Sequence, residues 1–355
     1  MRKAFADAKV KALVVSRPED VSYLSGFTGD DSVLVVGRGW ACLITDGRYV
    51  EQAAGECRGI GIHVRKGEAM SAAIAEALKG RPVRRIAVQA DHVTLQFHEA
   101  LAKALKRRRI VPVAGVVEAR RKIKDVAEVR AIRKAIAVAE RAFKALLAKG
   151  ARGFVGRTER RIAAELDYLM RLEGADRPAF ETIVGAGSHG SLPHYRPGDR
   201  RIRRGDAVLI DWGAVVGGYC SDLTRVVFIG RISPRIGVIH EVVRRAQEAG
   251  IAALRPGVSG KSADAAARRV IQAAGYGENF VHGLGHGVGR QIHESPGISR
   301  TAKARLRPGM VVTVEPGIYL AGVGGVRIED DVLITPKGRR RLSTLPRDAG
   351  SMVLR

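Results

Sequence analysis

Four carboxylates interrupt segments that otherwise read as apolar strands. Asp211 follows Ala-Val-Leu-Ile, Asp222 comes after the Gly217-Gly218 pair, Glu315 follows Val-Val-Thr-Val, and Glu329 sits inside GVRIEDDVLI. Removing an ionised carboxylate from water is costly unless it is paired or bound to metal. A chain with four such acids on buried-looking strands must therefore bring them together around positive charge. The stretch His282–Gly297, HGLGHGVGRQIHESPG, adds His282, His286 and His293 on glycine-rich backbone. Four carboxylates balance two divalent cations, and an imidazole completes a donor set suited to manganese, cobalt, zinc or iron. Each glycine costs about 1 kcal/mol in a helix, which argues against a helical histidine pair here. On a strand, positions 282 and 286 share a face and 293 takes the other. A turn or bulge, supplied by Gly287 or Gly289, is needed if all three serve one site.

The rest of the chain predicts two domains of mixed α/β (α+β) character, as its 355 residues and 46% hydrophobic content suggest. In the first, residues 1–117, short apolar runs at 11–16, 31–36, 40–45 and 84–89 read as strands, and 70–80 and 95–109 read as helices. No glycine-rich nucleotide fingerprint accompanies them. From Asp125 to Lys149 apolar residues recur at helical spacing until Gly150, so the second domain, 118–355, opens on a long helix. Helices near 158–173 and 236–253 alternate there with glycine-punctuated strands, which suggests an antiparallel or mixed sheet.

Composition narrows the function. No apolar run approaches the roughly 20 residues of a membrane span, and the N-terminus does not read as a signal peptide. Cys42, Cys57 and Cys220 form no close pair, which fits a reducing cytoplasm. The net charge of +25 raises nucleic acid as a partner. The basic clusters at 103–109, 120–124, 200–204 and 339–341 are scattered and lack interleaved aromatics, however, so nucleic acid is disfavoured.

At the level of motifs, DWGAVVGGYCSDLTR, HGLGHGVG, EPGIY and VRIEDDVLIT resemble, in order, segments of the pita-bread metallopeptidases. That family includes Xaa-Pro dipeptidase (prolidase), aminopeptidase P, methionine aminopeptidase and creatinase. YLSGFTGDDSVLVV and LITDGRYVEQA are similar to the N-terminal domain of its prolidase, aminopeptidase P and creatinase branch. The resemblance implies an N-terminal creatinase/prolidase-like domain and a catalytic pita-bread domain. It implies two divalent metal ions, manganese first and cobalt or zinc as alternatives, held by Asp211, Asp222, His286, Glu315 and Glu329. His194 and His293 match substrate-facing histidines with catalytic roles, and His282, Tyr319 and Arg327 match positions of the proline-specific branch that support the site and are expected to bind substrate with them. The implied reaction is hydrolysis of the bond before proline by a metal-bridging hydroxide, with Glu315 moving the proton. A cytoplasmic homodimer acting on proline-containing peptides is the expected state. A methionine aminopeptidase and a nucleic-acid-binding protein on the same fold are the alternatives. Ordinary roles are expected elsewhere: His189 as a loop residue, Trp212 and Cys220 packed beneath the metals, and Asp330 and Asp331 as a solvated or supporting pair.

Overall fold

The computed structural model describes residues 2–355, with side chains from residue 5 onward. It divides into two compact units, residues 1–121 and 122–355. Among the described residues, no helix is long and apolar enough to cross a membrane.

The first unit is a six-stranded mixed sheet in the order Gly61–Arg65, Trp40–Asp46, Val33–Gly37, Ala12–Val15, Arg85–Gln89, Arg109–Val113. Strand alternation sends Ala12 and Val14 to one face and Leu13 and Val15 to the other. Helices cover both faces. Ile74 and Leu101 pack with Val14, Val35 and Ile86, while Val21 and Ala53 pack with Leu13, Leu34 and Leu43. A sheet covered on both faces needs near-continuous apolar strands, which explains the run Ala-Leu-Val-Val. The helix expected over 95–109 stops at Ala104, and Arg109 instead opens a strand that pairs in parallel with Arg85–Gln89. The cationic run between them has no apolar stripe to hold a helix against the sheet.

The second unit repeats one order of elements: two helices, then strands. Val126–Leu147 and Glu159–Leu172 precede the sheet Val353–Leu354, Leu223–Ile229, Ala207–Trp212, Ile183–Ala186. Pro234–Ala253 and Gly260–Ala273 precede the antiparallel sheet Glu294–Ile298, Gly285–Gly287, Val311–Val314, Asp330–Thr335, Gly338–Arg341. A bridge between Thr224 and Glu329 joins the two sheets. The long helix starts with a reciprocal cap, in which Asp125 accepts from the Glu128 amide and Glu128 accepts from the Asp125 amide. The helix Gly260–Ala273 was not expected. Its buried stripe is Ala263, Ala267 and Ile271, and alanine marks an apolar face weakly.

Trp212, fully buried, stacks on Phe143 with ring centroids 4.1 Å apart and donates Nε1–H to the Ala139 carbonyl at 3.0 Å. The long helix is thereby fixed beneath the strand that carries Asp211. Phe143→Ala is expected to destabilise the second unit by about 3–5 kcal/mol through lost burial and a residual cavity, read as a lower urea midpoint by circular dichroism.

Candidate active site

The two sheets of the second unit present acids in matching ways. Asp211 lies on Ala207–Trp212, and Asp222 immediately precedes the antiparallel strand Leu223–Ile229, whose Thr224 pairs with Asp211. Glu315 immediately follows Val311–Val314, and Glu329 immediately precedes the antiparallel strand Asp330–Thr335, whose Asp330 pairs with Val314. His286 is the middle residue of the strand Gly285–Gly287, next to Val311–Val314. All five line one cavity of about 480 Å³, together with His194, His282, His293 and Arg327.

Within the cavity, His286 Nε2 lies 3.3 Å from Glu315 Oε1 and 3.5 Å from Asp222 Oδ2. Donor atoms of Asp222, His286 and Glu329 all fall within 4.8 Å of one another. The His286 ring is set by Nδ1 donating to the Gly287 carbonyl at 3.0 Å, which leaves Nε2 facing the acids. Thr224 donates to Glu329 at 2.7 Å and Thr313 to Glu315 at 3.0 Å. Arg327 donates to Asp211 Oδ2 at 2.5 Å and to the Tyr319 hydroxyl at 2.8 Å, and that hydroxyl lies 2.8 Å from His282 Nε2. Tyr319 thus reaches the site through its hydroxyl.

Burial, then neighbouring carboxylates, pushes Asp222 and Glu329 well above the usual carboxylate range. Asp211 is raised by burial against the pull of Arg327. Glu315 differs: burial raises it, but the hydrogen bond and charge of His286 outweigh that and hold it at about 2. His286 is raised in turn, its burial outweighed by Glu315. Asp211 Oδ1 and Glu329 Oε1 are buried without a hydrogen-bond partner. The buried guanidinium of Arg327 pairs with Asp211 alone of the four acids, and two of their oxygens have no hydrogen-bond donor. Divalent cations fit this donor set of carboxylates and one imidazole.

The neighbours of the four acids and His286 can be set beside their expected roles. Of the two roles expected for Asp330 and Asp331, solvated or supporting, the fully buried pair takes the second, because their strand is flanked by partners on both edges. Asp330 accepts from Arg225 at 2.8 Å and Gln247 at 3.0 Å, and Asp331 accepts the Asp222 amide at 3.1 Å. His282 precedes the strand that carries His286, so the two do not share a strand face. The chain reverses between Gly287 and Glu294, bringing the His293 ring to 4.3 Å from that of His286. Cys220 is buried, with its thiol 3.8 Å from the Arg290 carbonyl. His189 is more than a loop residue, since its Nδ1 lies 2.9 Å from Glu159 Oε1. Glu159, fully buried, also accepts from the Ala186 amide at 2.8 Å and from the Tyr195 hydroxyl at 2.8 Å. It anchors the segment carrying His194. Nothing local in the sequence marks Glu159, whose partners lie about thirty residues away.

Comparison with known proteins identifies the family. Residues 130–336 match Metallopeptidase family M24, and residues 1–123 match the Creatinase/Prolidase N-terminal domain. The chain belongs to metallopeptidase family M24. It is 36% identical to the Xaa-Pro dipeptidase of Pyrococcus horikoshii, over 96% of this chain and 94% of the relative. Among solved structures it is similar to the Xaa-Pro dipeptidase from Bacillus anthracis, with a TM-score of 0.95, 35% identity and coverage of 99% and 98%. It is likewise similar to the X-Pro aminopeptidase from Thermotoga maritima MSB8, with a TM-score of 0.91, 36% identity and coverage of 99% of each chain. As an M24 metallopeptidase it is a divalent-metal enzyme.

The raised carboxylates make the metal-free peptidase sensitive to pH. A group whose folded pKa is raised stabilises the fold below its unfolded value, and that stability is lost as pH rises through the folded value. Burial raises Asp331 to about 8, and Asp222 and Glu329 are raised in the same direction. His240, lowered by burial to about 4, acts oppositely but only up to its ordinary 6.5. The metal-free protein should therefore lose stability between pH 6.5 and 8, seen as a falling urea midpoint. Loading with Mn²⁺ should flatten that fall.

Proposed function

We propose that this chain is a Xaa-Pro peptidase whose second unit holds two divalent cations, manganese first, on Asp211, Asp222, His286, Glu315 and Glu329. The convergence of these five donors and three further histidines on one cavity carries the reading. The names of the Pyrococcus, Bacillus and Thermotoga relatives support the choice of a bond before proline. The match of residues 1–123 to the Creatinase/Prolidase N-terminal domain argues against a methionine aminopeptidase. We place the catalytic domain at 118–355 and treat 1–117 as an accessory domain.

When bound, the cations supply a nucleophilic water at neutral pH and polarise the scissile carbonyl. The protein's own groups do the rest. The bond before proline is a tertiary amide without an N–H, so recognition has to use the carbonyl and the groups flanking it. His194 and His293 line the cavity as donors toward the carbonyl oxygen as it gains charge. Glu315 is the one acid of the four held below its ordinary range, hence ionised at neutral pH, and its carboxylate is the group we assign to carry a proton from the water to the proline nitrogen. Arg327, pinned to Asp211 and Tyr319, fixes the wall on which His282 stands.

Metal-stripped protein refilled with Mn²⁺, Co²⁺ or Zn²⁺ should release alanine from Ala-Pro or Ala-Pro-Ala and leave Met-Ala-Ser intact. Silence on both proline substrates would overturn the assignment. In the active enzyme, His194→Ala should lower kcat about 100-fold with metal content unchanged, checked by steady-state kinetics and elemental analysis.

A further inference from the structure

The cavity carries a second arginine that the mechanism above does not use. Arg196 lies two residues after His194 and lines the same cavity as Glu181, His194 and Arg327. Its side chain is 86% exposed, and its Nε lies 3.5 Å from Glu181 Oε2, itself 68% exposed. The pair therefore stands at the mouth of the cavity.

The two lining arginines differ in what they have left to give. Arg327 is 3% exposed and spends its donors on Thr224 Oγ1 at 3.1 Å, the Pro193 carbonyl at 3.4 Å, Tyr319 at 2.8 Å and Asp211 at 2.5 Å. His282 has both ring nitrogens engaged, by the Gly283 carbonyl at 2.7 Å and Tyr319 at 2.8 Å. Arg196 has one long contact, to an exposed carboxylate. An exposed ion pair of this kind contributes little, so exchanging Glu181 for another carboxylate is nearly free. A guanidinium grips a carboxylate through two parallel N–H donors, which Glu181 does not engage at this distance.

The segment behind Arg196 is held firmly enough to aim it. The Tyr195 hydroxyl donates to buried Glu159 at 2.8 Å, and the Tyr195 ring packs on His189 with centroids 4.6 Å apart. Arg196 therefore extends from an anchored backbone while its own head stands exposed.

We propose that Arg196 determines specificity by taking the free carboxylate of an Xaa-Pro dipeptide in exchange for Glu181. The inference rests on the Xaa-Pro reading and deepens it. In a dipeptide the carboxylate carbon lies about 2.5 Å from the nitrogen of the cleaved bond, across one Cα. A cation on the cavity wall can read it there. A longer peptide presents an uncharged amide at the same place and gains nothing from Arg196. Glu181 holds the guanidinium between turnovers and repels carboxylates that approach without displacing it.

The test compares kcat/KM of the manganese-loaded enzyme on Ala-Pro and on Ala-Pro-amide, which lacks only the charge. Arg196→Ala should lower the Ala-Pro to Ala-Pro-amide ratio about tenfold, the order expected for a lost charge-assisted hydrogen bond, chiefly through KM. Arg196→Lys should lower the ratio less. Glu181→Gln should raise it. An unchanged ratio in Arg196→Ala, or equal losses on both substrates, would overturn the proposal. A wild-type enzyme that cleaves neither substrate overturns the Xaa-Pro reading first, and the role of Arg196 falls with it.

Discussion

Mutual repulsion among Asp211, Asp222, Glu315 and Glu329 is the constraint around which the second unit is organised. Each acid sits at or beside a strand end, and the Thr224–Glu329 bridge closes the two sheets so that these ends meet. Such a junction is unfavourable unless counter-charge is supplied. Arg327 supplies part of it at Asp211, and His286 supplies part at Glu315. The remainder falls to cations. Supports radiate outward from there: Thr224 and Thr313 orient carboxylates, Asp331 holds the Asp222 backbone, and Asp330 ties Arg225 into the sheet.

Much of this was legible in the sequence because the signal was local. An acid inside an apolar strand is conspicuous one residue at a time, and so is a histidine among glycines. The long helix over 126–147 announced itself through periodicity and the glycine that follows it, Gly150. What escaped depends on distant partners. Glu159 opens a helix as many glutamates do, and only the fold shows that it gathers His189 and Tyr195. Asp330 and Asp331 look like surface acids until the sheet places their strand between two others. The helix over 260–273 was hidden by the smallness of the alanines on its inner face.

The two walls of the cavity are built on different principles. One is rigid: the chain from Asp211 through Arg327 and Tyr319 to His282 spends nearly every donor on its neighbours. The other combines an anchored backbone at Tyr195 with exposed, weakly paired tips at Arg196 and Glu181. Chemistry demands fixed geometry at the reacting bond, whereas substrates of different length require adaptable contacts at the rim.

The chain has two tryptophans, and the fold gives one to each unit. Trp40 lies half-buried under the Arg81 guanidinium, 3.9 Å from the ring centroid. Trp212 is sealed against Phe143, beside Asp211. The molecule thus carries two intrinsic fluorophores in unlike surroundings, one partly wet beneath a cation and one dry. Emission from the dry indole reports on the backbone next to Asp211, so ion loading and the melting of either unit can be followed optically without attaching a label.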